Sequence, residues 1–162
     1  MILRLSKTLL VAAVALFYTL VVFNNITDYG SNYGFVHHVL LMDTTFPGNH
    51  GMWRAIHPLW LHAAFYDSII AWEALTMVLL WAGAVRLLRA VGGPGTTFRD
   101  AKTLAIAGLT VSLLMWFVAF LSVGGEWFLM WQSHTWNGED AAFRMFVVVG
   151  VVLLLLVMPE GE

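Results

Sequence analysis

The chain has 162 residues, 60% hydrophobic and 11% charged, with a mean hydropathy of +0.79. A soluble domain is nearer ~45–50% apolar and ~25% charged, so the composition excludes an ordinary soluble protein and points to one integral membrane domain, 1–162. A formal charge of −2 speaks against a nucleic-acid partner, and zero cysteines exclude disulfides, thiolate metal sites, iron–sulfur clusters and cysteine nucleophiles.

The first apolar run, Leu5 to Phe23, suits a helix crossing ~30 Å of hydrocarbon, which needs about 20 apolar residues. Its basic start resembles a signal peptide. However, Ala13-Val14-Ala15 lies inside the run and Phe23-Asn24-Asn25 is a poor cleavage site, so an uncleaved transmembrane helix is expected over about 5–23. Segment 24–59 is aromatic and glycine-punctuated. It predicts a short helix around Phe35–Met42, a stop at Asp43-Thr44-Thr45 and a turn at Pro47-Gly48. Asn24, Asn25, Asp28 and Asn32 are suited to satisfy carbonyls at the end of the first helix.

His57-Pro58 resembles a helix start, and the second span is expected over about 60–88. A loop at 89–103 follows, with the turn cluster Gly92-Gly93-Pro94-Gly95, and Thr97 or Asp100 would cap a third span over about 104–123. The 124–140 loop carries Trp127, Trp131 and Trp136. The fourth span covers about 141–158 and ends at Pro159. The expected fold is an all-α, four-transmembrane-helix bundle, since backbone in lipid must satisfy its own hydrogen bonds.

Charge orients the bundle. Arg4, Lys7, Arg86, Arg89, Arg99 and Lys102 flank one side of the spans, whereas only Arg54 and Arg144 flank the other. Basic loops stay cytoplasmic, so both termini and the 89–103 loop read as inside, with 24–59 and 124–140 outside. Asp100, Glu160 and Glu162 temper the inner charge; Asp28, Asp43, Asp67, Glu126, Glu139 and Asp140 dominate the outer one. The two outer loops are too apolar to be solvated and are expected to fold over the bundle as an aromatic cap at headgroup level.

All six histidines, His37, His38, His50, His57, His62 and His134, fall on the outer side, with Met42, Met52 and Met130 nearby. Imidazole and thioether are copper ligands, and His37, His38, His62 and His134 are the candidates for a metal. No spacing places two of them on one helix face, so the histidines read first as amphipathic interface residues, with a metal site as the alternative. Glu73 lies inside the second apolar run. At ~100° per residue it shares a stripe with His62, Tyr66, Ile69 and Met77. An intramembrane acid faces the bundle interior and takes a partner; Arg144 and Arg54 are the candidates. A buried bridge locking helices is the plain reading of this set, and a proton, quinone or ion site is the functional one. No histidine lies at mid-membrane depth, which argues against a bis-histidine haem within this chain alone; a haem shared with another subunit near His62 stays open.

Several motifs occur together: Arg4-Leu5-Ser6-Lys7, Phe23-Asn24-Asn25-Ile26-Thr27-Asp28-Tyr29, Met42-Asp43-Thr44-Thr45-Phe46-Pro47, Met52-Trp53-Arg54-Ala55-Ile56, and Gly124-Gly125-Glu126-Trp127-Phe128 through Trp131-Gln132-Ser133 with Trp136-Asn137-Gly138. With these the chain resembles the bacterial family of predicted small integral membrane proteins, domain of unknown function 2165. The resemblance spans essentially the whole chain and implies a four-helix inner-membrane protein with no catalytic assignment.

The first expectation is therefore a non-enzymatic accessory or assembly subunit, associating with the lipid bilayer and with other membrane subunits or itself, possessing no cofactor. Small faces at Ala12/Ala13/Ala15 and Ala105/Ala107/Gly108 suit close helix approach. The alternatives are a copper-, haem- or quinone-binding protein at the outer face and an oligomeric proton-coupled transporter using Glu73.

Overall fold

The computed structural model describes residues 1–159, and Glu160 and Glu162, counted above in the inner charge, lie outside the described residues. The order of elements is α1 (Ile2–Thr27), α2 (Tyr29–Leu41), a single 3-10 turn (Met52–Arg54), α3 (Leu59–Ala90), α4 (Gly95–Ala101), α5 (Thr103–Leu114), a π-helical segment (Met115–Trp127), a second 3-10 turn (Met130–Gln132) and α6 (Glu139–Val157). No strand occurs among the described residues. Among the described residues four helices are long and apolar enough to cross a membrane: Ile2–Thr27, Leu59–Ala90, Gly95–Trp127 and Glu139–Val157.

Each helix overruns its expected bounds at one end or both, except that α6 stops at Val157. Backbone bonding continues past the hydrocarbon-length run because it does not need apolar side chains. The 32 residues of α3 extend about 48 Å at 1.5 Å per residue, well beyond ~30 Å of hydrocarbon. The expected 89–103 loop shrinks to the four residues between α3 and α4. Pro94 takes the N-cap position of α4 and no side chain caps it, so Thr97 and Asp100 lie inside a helix rather than at its start. The helix expected around Phe35–Met42 begins six residues earlier and stops at Leu41. Buried Met42 takes the left-handed conformation there, φ 54°. Pro47-Gly48 forms the expected turn, with Gly48 at φ 77°.

The third span changes its hydrogen bonding midway. The Phe128 N–H donates to Val123 C=O at 3.0 Å and the Ser122 hydroxyl to Phe117 C=O at 2.9 Å, both five residues back. Such wide-pitch helix is rare beyond a single turn and recurs at functional sites.

The chain divides into two compact units. Of the described residues, the first comprises 1–22, 73–113 and 147–159; the second comprises 23–72 and 114–146. In the first, α3 and α5 approach closely. A Cβ on Gly83 would lie 2.6 Å from the Ala105 nitrogen, and one on Gly108 would lie 2.9 Å from Leu80. Of the small faces, Ala15, Ala105 and Gly108 are buried within the chain, Ala12 and Ala107 are half-buried, and Ala13 is exposed. Deep in this unit, the buried Tyr18 and Ser112 hydroxyls are 2.6 Å apart.

The same unit uses its cations as backbone caps. Arg4 donates to Gly93 C=O at 2.7 Å and to Val91 C=O at 3.3 Å, and its guanidinium lies 5.4 Å from the Phe98 ring centre. Lys7 donates to the carbonyls of Leu156 and Met158, and Lys102 also donates to Met158 C=O. Cations at a helix C-terminus satisfy its orphan carbonyls and oppose its dipole. Arg86, Arg89 and Arg99 are exposed, whereas Lys102 is buried.

The second unit packs α2 over Tyr66 and Phe128, around a core of Val36, Leu40, Met42, Tyr66 and Phe128. The segments outside the spans are tied by polar contacts. Thr44 donates to Ser133 at 2.8 Å, the Phe46 N–H donates to Gln132 Oε1 at 3.1 Å, and the Ile56 N–H donates to Leu40 C=O at 2.9 Å. Asn32 donates to the Asn25 side chain at 2.6 Å and Ser31 to Asp28 at 2.7 Å, so these polar residues bond one another across the α1–α2 junction.

Candidate functional site

A histidine pair, an aromatic–arginine cluster and an apolar cavity make up the chemistry of the second unit. His62, in the first turn of α3, is 0% exposed. Its Nε2 lies 2.7 Å from Ile56 C=O, and its Nδ1 lies 2.8 Å from His37 Nδ1 on α2. A carbonyl only accepts, so Nε2 of His62 carries a hydrogen. Neutral His62 then accepts at Nδ1, His37 donates from Nδ1, and His37 Nε2 holds the lone pair. Burial first, then His62 and His38 nearby, holds the His37 pKa below its ordinary value.

Aromatic rings frame the pair. Tyr33 stacks on His37 with ring centres 5.9 Å apart, and His38 stacks on Trp136 at 4.7 Å while its Nδ1 lies 2.8 Å from Asp43 Oδ2. Tyr29 donates to Asp67 at 2.9 Å; burial and the Asp67 carboxylate push its phenol up to about 12.

The sequence candidates are distributed unevenly. His37 and His62 are brought together, His38 is engaged by Asp43, and His134 is exposed. Among the described residues no group of three or more His, Asp or Glu side chains is arranged to hold a metal ion. The stripe on α3 is turned away from the surface: His62, Tyr66 and Glu73 are buried, and Ile69 and Met77 are half-buried. Tyr66 and His62 belong to the second unit and Glu73 to the first. Arg144 is exposed and donates to Asp140 C=O at 3.2 Å, one turn back on its own helix.

Sequence reasoning did not find the cluster around Arg54. Its guanidinium lies 5.3 Å from the Trp53 ring and 5.0 Å from the Trp127 ring, and it donates to Trp127 C=O at 3.2 Å. The two indoles meet edge-to-face at 5.7 Å, although Trp53 is 72% and Trp127 48% exposed. A lone arginine next to a tryptophan in an otherwise acidic segment was the available signal.

Nor did it find the cavity. A space of about 220 Å³ lies between α2 (Phe35, Val36, Val39, Leu40), the outer part of α3 (Phe65, Ser68, Ile69, Trp72) and the π-helical segment (Val118 to Gly124), with Phe128 and Met130 completing it. Leu129 adopts φ 55° between those last two side chains, a left-handed turn that sets both against the cavity. The lining contains no charged side chain, and its one hydroxyl, of Ser68, donates to Phe65 C=O at 2.7 Å.

No match was found among curated proteins or among solved structures. Residues 3–159 do match one family. Four apolar helices of membrane-crossing length and a match over nearly the whole chain make this protein a member of the predicted small integral membrane proteins, domain of unknown function 2165.

Proposed function

We propose that the protein is a non-catalytic accessory or assembly subunit of a complex in the bacterial inner membrane, with both termini cytoplasmic. The observation that carries this reading is the Arg54–Trp53–Trp127 cluster. Tryptophan and arginine are the residue types that dominate the energetics of protein interfaces, and here exposed Trp53 and Trp127 flank a half-buried Arg54. Here they are held in place by each other rather than by burial, so they present a preformed surface with little ordering cost on binding.

The distribution of basic residues supports the orientation. Arg4, Lys7, Arg86, Arg89, Arg99 and Lys102 all belong to the first unit, while all six histidines and Arg54 and Arg144 belong to the second. Basic flanks favour the cytoplasmic side. A reporter fused after Glu162 should be active in the cytoplasm; activity only in the periplasm would reverse the orientation.

Association is tested by purification from native membranes in mild detergent. A stoichiometric membrane partner should be retained by the wild type and lost from the Trp53→Ala/Trp127→Ala variant, with helix content unchanged. A lone monomer, or retention unaffected by the double substitution, would overturn the reading. A second reading, a proton-coupled transporter, draws on Glu73, an acid buried in a span. It requires that Glu73→Gln abolish uptake in vesicles while leaving the fold intact.

A further inference from the structure

We propose that the cavity beneath α2 is a binding site for the acyl chain of a bilayer phospholipid. The inference stands independently of any protein partner. It starts from the lining, which offers apolar side chains and no charged group, and whose only hydroxyl is already committed to Phe65 C=O. A ligand with a polar body would leave its own donors and acceptors unsatisfied there.

The size and the mouth decide between an empty void and an occupied one. At about 220 Å³ the space exceeds the ~150 Å³ apolar cavity that stays dry and takes up a benzene-sized ligand. An unfilled space of that size forfeits dispersion contacts along its whole wall. Phe65, Val118 and Val123 line the cavity and are also exposed, and all three lie within helices of membrane-crossing length. The opening thus lies between two helices of membrane-crossing length, where lipid chains can reach it. α2, too short to cross, forms the opposite wall through Val36, Val39 and Leu40. A chain entering from the bilayer is held between the span-forming wall and α2.

The experiment uses the full chain in liposomes containing phosphatidylethanolamine with a photoactivatable diazirine in one acyl chain, followed by digestion and mass mapping of labelled residues. Labelling at Phe65 and Val118–Val123 should exceed that at Leu20 and Leu154, apolar span residues at least as exposed, by several-fold. Ala119→Trp fills the space from the π-helical side, and Val39→Phe fills it from α2. Both should remove the excess while labelling at Leu20 and Leu154 stays at the wild-type level. The second variant covers a folding defect in the first, and the wild-type distribution stands without either. Equal labelling at all four positions, or an excess that survives both filled variants, would overturn the site. Loss of the excess on adding an isoprenoid quinone, but not on adding unlabelled phosphatidylethanolamine, would overturn the acyl chain as occupant.

Discussion

His37 and His62 share one hydrogen bond between their Nδ1 atoms, 2.8 Å apart, and it joins α2 to α3. Because His62 Nε2 is held by Ile56 C=O, a proton entering the pair goes first to Nε2 of His37.

The pH dependence follows from the depressed His37 pKa. The unfolded chain then binds its proton more readily than the folded one, so stability rises with pH. The His37 contribution is complete above the ordinary histidine value of ~6.5 and is lost as pH falls from there through the lower folded value. Thermal unfolding in detergent between pH 8 and pH 5 should show this loss in the wild type and a smaller one in His37→Gln. Equal slopes would remove His37 as the cause. His62→Phe should cost about 1–3 kcal/mol at pH 8 by leaving Ile56 C=O without its donor and His37 without its acceptor.

The Arg54 cluster distinguishes guanidinium from ammonium. Arg54→Lys keeps the charge but loses the planar fork that faces two indoles while donating to Trp127 C=O. Screening at this half-exposed site limits the loss to about 0.5–1 kcal/mol. Limited proteolysis between Gly48 and Pro58 should be faster in the variant, with the spans unaffected. Unchanged cleavage would show that the ring pair holds itself.

Four spans were legible because each apolar run is long and each gap carries polar punctuation: Pro58 precedes α3, and the Val91–Pro94 turn separates α3 from α4. The inward stripe on α3 was legible too, since Tyr66 and Glu73 are polar marks in a helical period. The π-helical segment was not. Met115–Val123 has Ser122 as its single polar side chain, so hydrophobic periodicity gives no signal that bonding has shifted from four residues to five. The cavity depends on that shift and on α2 closing over it, and neither is a property of a single segment. The histidine pair was hidden for a related reason. His37 and His62 are 25 residues apart in different helices, and only packing of α2 on α3 brings them within bonding distance.

Close approach of α3 and α5 predicts opposite fates for two glycines in one unit. Gly83→Val would drive a Cβ into the backbone of Ala105, which cannot yield as a flexible side chain would. Overpacking of this kind costs about 1–3 kcal/mol. Gly92→Ala meets nothing within 4 Å and should leave the melting temperature in detergent unchanged. A stable Gly83→Val protein would mean that α3 and α5 pack less closely than these distances state.

The bond between Tyr18 and Ser112 tests how much a polar contact inside the hydrocarbon contributes. Both residues are 0% exposed, and their hydroxyls are 2.6 Å apart between α1 and α5. Such bonds couple by about 0.6 kcal/mol on average and up to ~1.7, because an unfolded helix in lipid also finds partners. Tyr18→Phe, Ser112→Ala and the double variant, compared by unfolding in detergent, should give a coupling in that range. Additive losses would show that the two hydroxyls are satisfied independently, and the helices would then be joined at this depth by packing alone.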